Sequence, residues 1–307
     1  MLMKYLLILA KVGLMYGIAV TGHAGLSCSD WPNKDFFETT SVEDVRDCLA
    51  DGASVGSRDE NGRTPLHWAA AASRDVAVMV ELLTAGANPE LVDTTGQRAI
   101  HVAAAVGRNP IMLSYLVAWG SDAEAEVAGK AGRCPWSTRR CAVVPLHLAA
   151  ARPDGADFVA SLLATGANAN ARDDQGRTPL HHAAAGAAGG MSIKLLLNAG
   201  ASVDIADQER LAPLHIAARR DEGALEMVSA LLAAGASADQ REQNGTTPLM
   251  WAARLSRNSE ALKVLIEASD TPCVEDDRER TVLQLWDRNE HLERDDVYWA
   301  LHDRCMN

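Results

Sequence analysis

Apolar and polar positions alternate along this chain in blocks of fixed order. A short segment of the form Leu-x-x-Ala-Ala comes first, usually with a histidine inside it. After a brief polar gap comes a longer aliphatic run, which a glycine ends. The first segment reads TPLHWAAAA at Thr64, RAIHVAAAV at Arg98, VPLHLAAAR at Val144, TPLHHAAAG at Thr178, APLHIAARR at Ala212 and TPLMWAARL at Thr247, in steps of 34, 46, 34, 34 and 35 residues. The glycines that close the runs are Gly52, Gly86, Gly120, Gly166, Gly200 and Gly235, in steps of 34, 34, 46, 34 and 35. Two series with one spacing predict a repeat array, in which each unit packs on its neighbours and there is no single centre.

Each unit predicts two helices. Leu66, Ala69 and Ala70 fall on one face at helical period. Thr64 is placed to cap the helix with its hydroxyl, and Pro65 suits a first turn that needs no amide donor. The second helix runs over Val76–Ala85, and Gly86 allows the left-handed exit. The same order returns at 157–165, 192–199 and 225–234. The expected fold is an all-α solenoid of stacked helix-turn-helix units with short linker loops and a capping unit at each end.

Helix–turn–helix–loop at this period, with the TPLHxA phrase, resembles the ankyrin-repeat family. The likeness spans about residues 41–290. It divides the chain into an N-terminal capping unit at 25–63, six repeats over 64–280 with an insertion at about 122–142, and a C-terminal capping unit at 281–307. Departures from the family pattern carry expectations of their own. Arg98, Val144 and Ala212 replace the threonine and should cap less well. Arg210 replaces a linker glycine, and Met250 replaces the motif histidine. At the ends, Asp35–Ala50 reads as a short helix followed by a full one, and Arg294–Asp303 as the closing helix. Trp286 and Trp299 are expected to cover the last apolar face.

The resemblance also implies roles. His67, His101, His147, His181 and His215 share one motif position, where the family's histidine bonds neighbouring backbone and orders the linkers. That makes them architectural rather than catalytic. His182 beside His181 should point elsewhere, since adjacent helical residues diverge. No nucleophile–base arrangement, phosphate loop or HExxH is visible. A non-enzyme without cofactor, metal or small-molecule substrate is expected. The acidic runs Glu275–Glu279 and Glu293–Asp296 read as solvated faces.

Family members usually meet partners with the linker tips and the exposed side of the first helix. Here those positions carry Arg58, Arg63, Arg152, Arg172, Arg177, Arg219, Arg220, Arg241 and Arg254, against the acids Glu60, Asp174 and Glu209. Arginine suits forked bonding to carboxylates and is enriched at interfaces. The competing expectation is local pairing with Asp59, Asp173 and Asp221, which contributes little at a surface. The insertion holds CPWSTRRC, and Trp136, Arg139 and Arg140 are interface-type residues. A tolerated surface insertion is the plainer reading of that loop.

Composition narrows the class. Hydrophobic residues make up 48% but aromatics only 5%, so alanine and leucine must fill the core between thin helices. A formal net charge of −12 argues against a nucleic-acid partner.

The first 24 residues read as a bacterial-type export signal, with Lys4 and Lys11, an apolar run from Val12 to Val20 and small residues Gly22 and Ala24. Lys11 interrupts the stretch, and a span needs about 20 apolar residues, so a retained anchor has the weaker case. Gly25 stands where a lipidation signal carries leucine, which argues against acylation of Cys28. The expected location is therefore periplasmic or secreted. Six cysteines follow the signal and suggest the pairs Cys28–Cys48, Cys134–Cys141 and Cys273–Cys305, out of fifteen pairings. The absence of a C-x₂₋₄-C pair argues against zinc. The expected activity is capture of another protein by a monomeric exported scaffold. An inhibitor of a toxic enzyme, or an effector acting on a host or neighbouring cell, is the alternative.

Overall fold

The computed structural model describes residues 28, 31, 33–127, 142–186, 189–221, 223–257 and 259–306. The first 24 residues, read above as an export signal, and the insertion residues Cys134, Trp136, Arg139, Arg140 and Cys141 lie outside them. The helices form two rows. The first row holds Pro65–Ala72, Ala99–Val106, Pro145–Ala151, Pro179–Ala185, Pro213–Ala218, Pro248–Leu255 and the short Val282–Trp286. The second holds Val76–Thr84, Ile111–Ala118, Ala156–Ala164, Gly189–Asn198, Ala224–Ala233, Ser259–Ala268 and Asp296–Met306. Each helix packs on its partner in the other row and on its neighbours in its own. The pair Lys34–Thr39 and Val42–Ala50 heads the stack. Among the described residues the strand-like pairing is a single bridge between Glu275 and Thr281, so the fold is an all-α solenoid.

One apolar core runs from Phe36 to Leu301 between the rows. Leu66, Ile100, Leu146, Leu180 and Leu214 occupy one register position and are fully buried, and the alanines that follow let successive helices approach closely. Burying such a side chain contributes about 1.5–3 kcal/mol. At the N-terminal end Phe36 packs edge to face with both Trp31 and Phe37, and Trp31 lies tilted against Phe37. At the other end Trp286 is buried against Tyr298, with ring centroids 5.6 Å apart. Trp299, expected to share this cover, is instead 49% exposed. Tyr298 and Leu301 form the inward stripe of the last helix, and the residue after Tyr298 is turned about 100° away.

The helix starts also depart from expectation. At Thr64 and Thr178 the hydroxyl does not cap an amide. It meets Nδ1 of His67 at 2.8 Å and of His181 at 2.9 Å, and the same nitrogens accept the amides of Thr64 and Thr178. The histidine therefore satisfies the first turn. It does so equally at Arg98, Val144 and Ala212, whose amides donate to His101, His147 and His215. The cap is not lost with the threonine there. Only where histidine is missing does the hydroxyl take over, as Thr247 accepts from the Met250 amide and Thr281 from that of Gln284.

The six run-ending glycines have φ between +85° and +101°. A Cβ at any of them would meet nothing within 4 Å, so the requirement is conformational and not spatial. Disulfides Cys28–Cys48 and Cys273–Cys305 tie the two ends of the stack.

Candidate partner-binding face

Seven of the nine arginines on the linkers and first helices hold the stack together. Arg58 Nη1 donates to the carbonyl of Val92 at 2.7 Å, Arg172 Nη2 to Ala206 at 2.8 Å and Arg241 Nη2 to Glu275 at 2.6 Å. Each reaches the linker carbonyl 34 residues ahead, in the next unit. Arg63 Nε pairs with Asp93 at 3.3 Å and Arg177 Nε with Asp207 at 3.1 Å, both 30 residues ahead. Arg152 is held by Asp154, by the carbonyls of Ala104 and Gly107, and over the Phe158 ring. Arg220 Nη1 donates to the Ala185 carbonyl at 2.9 Å.

Local pairing with Asp59, Asp173 and Asp221 is thus corrected. Each linker aspartate turns its Oδ1 to amides of its own turn, as Asp59 does for Asn61 and Arg63 and Asp173 for Gln175 and Arg177. The arginine that closes the turn then leans forward to the next unit. Oδ2 of Asp59 accepts from Trp68 Nε1, and Oδ2 of Asp173 meets His182 Nε2. Asp221 pairs with Arg257.

Two positive-φ residues follow from the same geometry. Gly176 and Gly245 lie under the Arg172 and Arg241 guanidiniums, where a Cβ would come within 2.8 and 2.7 Å of a nitrogen. In two other units Ala206 and Glu275 replace that arginine. Arg210 (φ +64°) and Glu279 (φ +58°) stand there in place of glycine.

The motif histidines are neutral. Nε2 of His67 meets the Gln97 carbonyl at 3.0 Å, that of His101 the Ala125 carbonyl at 2.8 Å, and that of His181 the Leu211 carbonyl at 3.0 Å. A carbonyl only accepts, so Nε2 carries the proton and Nδ1 the lone pair used at the helix start. Burial, the largest cause, pulls His101, His147 and His181 down to about 4. Among the described residues no group of three or more His, Cys, Asp or Glu side chains could hold a metal ion.

Arg219 and Arg254 differ from the other seven. Both are exposed and lie beside the partly buried Trp251 ring, at 5.8 and 5.6 Å from its centroid. Among the described residues no carboxylate forms an ion pair with either. Desolvation, and then the charges of Arg177 and Arg220, hold the Arg219 guanidinium below its usual basicity, and Glu209 offsets this only in part. Sequence reading missed Trp251. It follows the motif position directly, in register with Trp68, Val102, Leu148, His182 and Ile216. Trp68 and His182 send a ring nitrogen to the aspartate nine residues back. At Trp251 that residue is Glu242, whose carboxylate takes Asn244 Nδ2 and the Thr246 amide. Trp251 Nε1 is left buried with no acceptor among the described residues.

The sequence matches the family described as "Ankyrin repeats (3 copies)" over residues 40–127, 146–242, 187–277 and 220–293. No curated protein matches. Among solved structures the human ASB11 ankyrin repeat domain is similar, with 24% identity and a TM-score of 0.64 over 78% of this chain and 99% of that one. At that identity the likeness speaks for the fold alone. The two-row stack, the histidine-capped units and the match over most of the chain agree: this chain belongs to the ankyrin-repeat family, whose stacked units form a protein–protein interaction scaffold.

Proposed function

We propose that this chain is an exported scaffold that captures another protein with its linker tips and the exposed side of its first helices. The observation that carries the reading is the division among the arginines. Seven are used up in joining units, whereas Arg219 and Arg254 stand beside Trp251 without an ion pair among the described residues, in a chain of net charge −12. Export is supported by the basic–apolar–small order of the first 24 residues and by two disulfides, which persist in oxidising compartments. An inhibitor of a toxic enzyme would turn the same face to an acidic active-site rim. An effector would carry it out of the cell.

The test is photo-crosslinking from linker tips at Glu60, Glu209 and Gln243, with Glu267 on a second-row helix as the control, in the native envelope and in the culture medium. One partner trapped from the tips and not from Glu267 is the expected result. Equal trapping at all four sites, or none in either fraction, overturns the reading.

A further inference from the structure

We infer that Arg219, Trp251 and Arg254 form an anchor for an acidic segment of the captured protein, whose carboxylates meet the two guanidiniums beside the indole. The inference rests on the scaffold reading and narrows it to one place in the stack.

Three observations converge on it. Arg219 directly follows helix Pro213–Ala218 and Arg254 sits in the last turn of Pro248–Leu255, so the pair straddles two neighbouring units. Both guanidiniums share one ring, and Arg177 and Arg220 add like charge next to Arg219. An incoming carboxylate relieves that repulsion. The guanidinium is planar and presents paired donors that match the two oxygens of a carboxylate. Trp251 supplies a rigid flat wall, and tryptophan with arginine is the usual composition of an interface hot spot. Charge complementarity selects an acidic peptide as the occupant, and the net charge of −12 disfavours a nucleic acid.

The experiment follows the indole resonances of the full, oxidised chain by NMR while hexaglutamate is added, with hexalysine as the control peptide. The Trp251 resonance is identified by its loss in Trp251→Phe. It should move saturably with hexaglutamate and stay fixed with hexalysine. The double variant Arg219→Gln/Arg254→Gln should weaken binding at least about tenfold, with its other indole resonances unchanged as the sign of an intact fold. A Trp251 resonance that does not respond overturns the anchor, as does hexaglutamate binding equally well to the double variant. Concentration-dependent self-association without peptide, abolished in the double variant, would assign the site to the acidic end of a second copy and also overturns it. Tip crosslinking that persists unchanged in the double variant would sink the anchor and leave the scaffold reading standing. Hexaglutamate binding at Trp251 with no tip crosslinking would do the reverse.

Discussion

Arg177 and Asp207 meet across a boundary between units, Nε to Oδ2 at 3.1 Å, and the aspartate side chain is only 1% exposed while its partner is 34% exposed. Asp207 Oδ1 also accepts the amides of Glu209 and Leu211, so one carboxylate orders its own turn and holds the preceding unit. Asp207→Ala should cost about 3 kcal/mol, because it leaves two amides without acceptors and removes the partner of a cation. Arg177→Ala should cost less, about 1–2 kcal/mol, since the aspartate keeps its amides and the arginine is partly solvated. Urea unfolding of the two variants checks the order. Equal costs would contradict it.

The histidines make stability depend on pH in a definite window. His101, His147 and His181 titrate near 4 in the folded chain, below the ordinary value of 6.5. The unfolded chain therefore binds more protons between these values, and stability rises with pH across the window. The contribution is complete above about 6.5 and is lost as pH falls toward about 4. The carboxylates Asp93, Asp173 and Asp276 are held below their usual 3.8 despite burial, by hydrogen bonds from Thr95, His182 and Arg280 and from amides of their own turns, so they act at lower pH. Urea midpoints should fall steadily from pH 7 to 4.5, and His181→Gln should flatten part of that slope. A flat profile would contradict a neutral, buried set.

Arg210 stands at φ +64° where other units use glycine. A non-glycine residue in that region is strained by about 1 kcal/mol. Arg210→Gly should therefore raise stability by about 0.5–1 kcal/mol. Gly176→Ala at the equivalent turn should lower it, since φ is +76° and the new Cβ would press on Arg172. Thermal melts of both variants should move in opposite directions.

The disulfides close segments of 20 and 32 residues at the two ends. Reduction should remove about 3–4 kcal/mol at each, through the freedom regained by the unfolded chain. In a stacked array such a loss stays local. Amide exchange should speed first in Phe36–Cys48 and Tyr298–Cys305 and leave the helix Pro179–Ala185 protected. Uniform loss of protection would show instead that the array opens as one body.

The two-row architecture is legible in the sequence because the Leu-x-x-Ala-Ala register and the closing glycines recur together, and only stacking buries the apolar face they define. The threonine cap misleads because the hydroxyl has a nearer partner in the histidine three residues on, which composition does not rank. The arginine contacts were hidden for another reason. Arg58, Arg172 and Arg241 bond 34 residues ahead, and local sequence suggests partners within the same turn. The signal was present in the alternation of Arg58 with Val92, Arg172 with Ala206 and Arg241 with Glu275 at the repeat distance. Trp251 stood in register with Trp68 and His182, yet its isolation depends on Glu242 replacing an aspartate and on where that longer side chain turns.

The alternation has a mechanical side. A guanidinium crosses from the linker at Arg58 to the next, from Arg172 to the next and from Arg241 to the next, but Ala206 has none to send forward to the linker at Arg241. That junction lies between helices Pro213–Ala218 and Pro248–Leu255, which carry Arg219 and Arg254 at their ends. An acidic segment seated on those two side chains would add from outside a tie beside the Asp221–Arg257 pair that already joins these units. The captured protein would then stiffen the stack at this junction, so the load needed to pull these two units apart would report directly on occupancy.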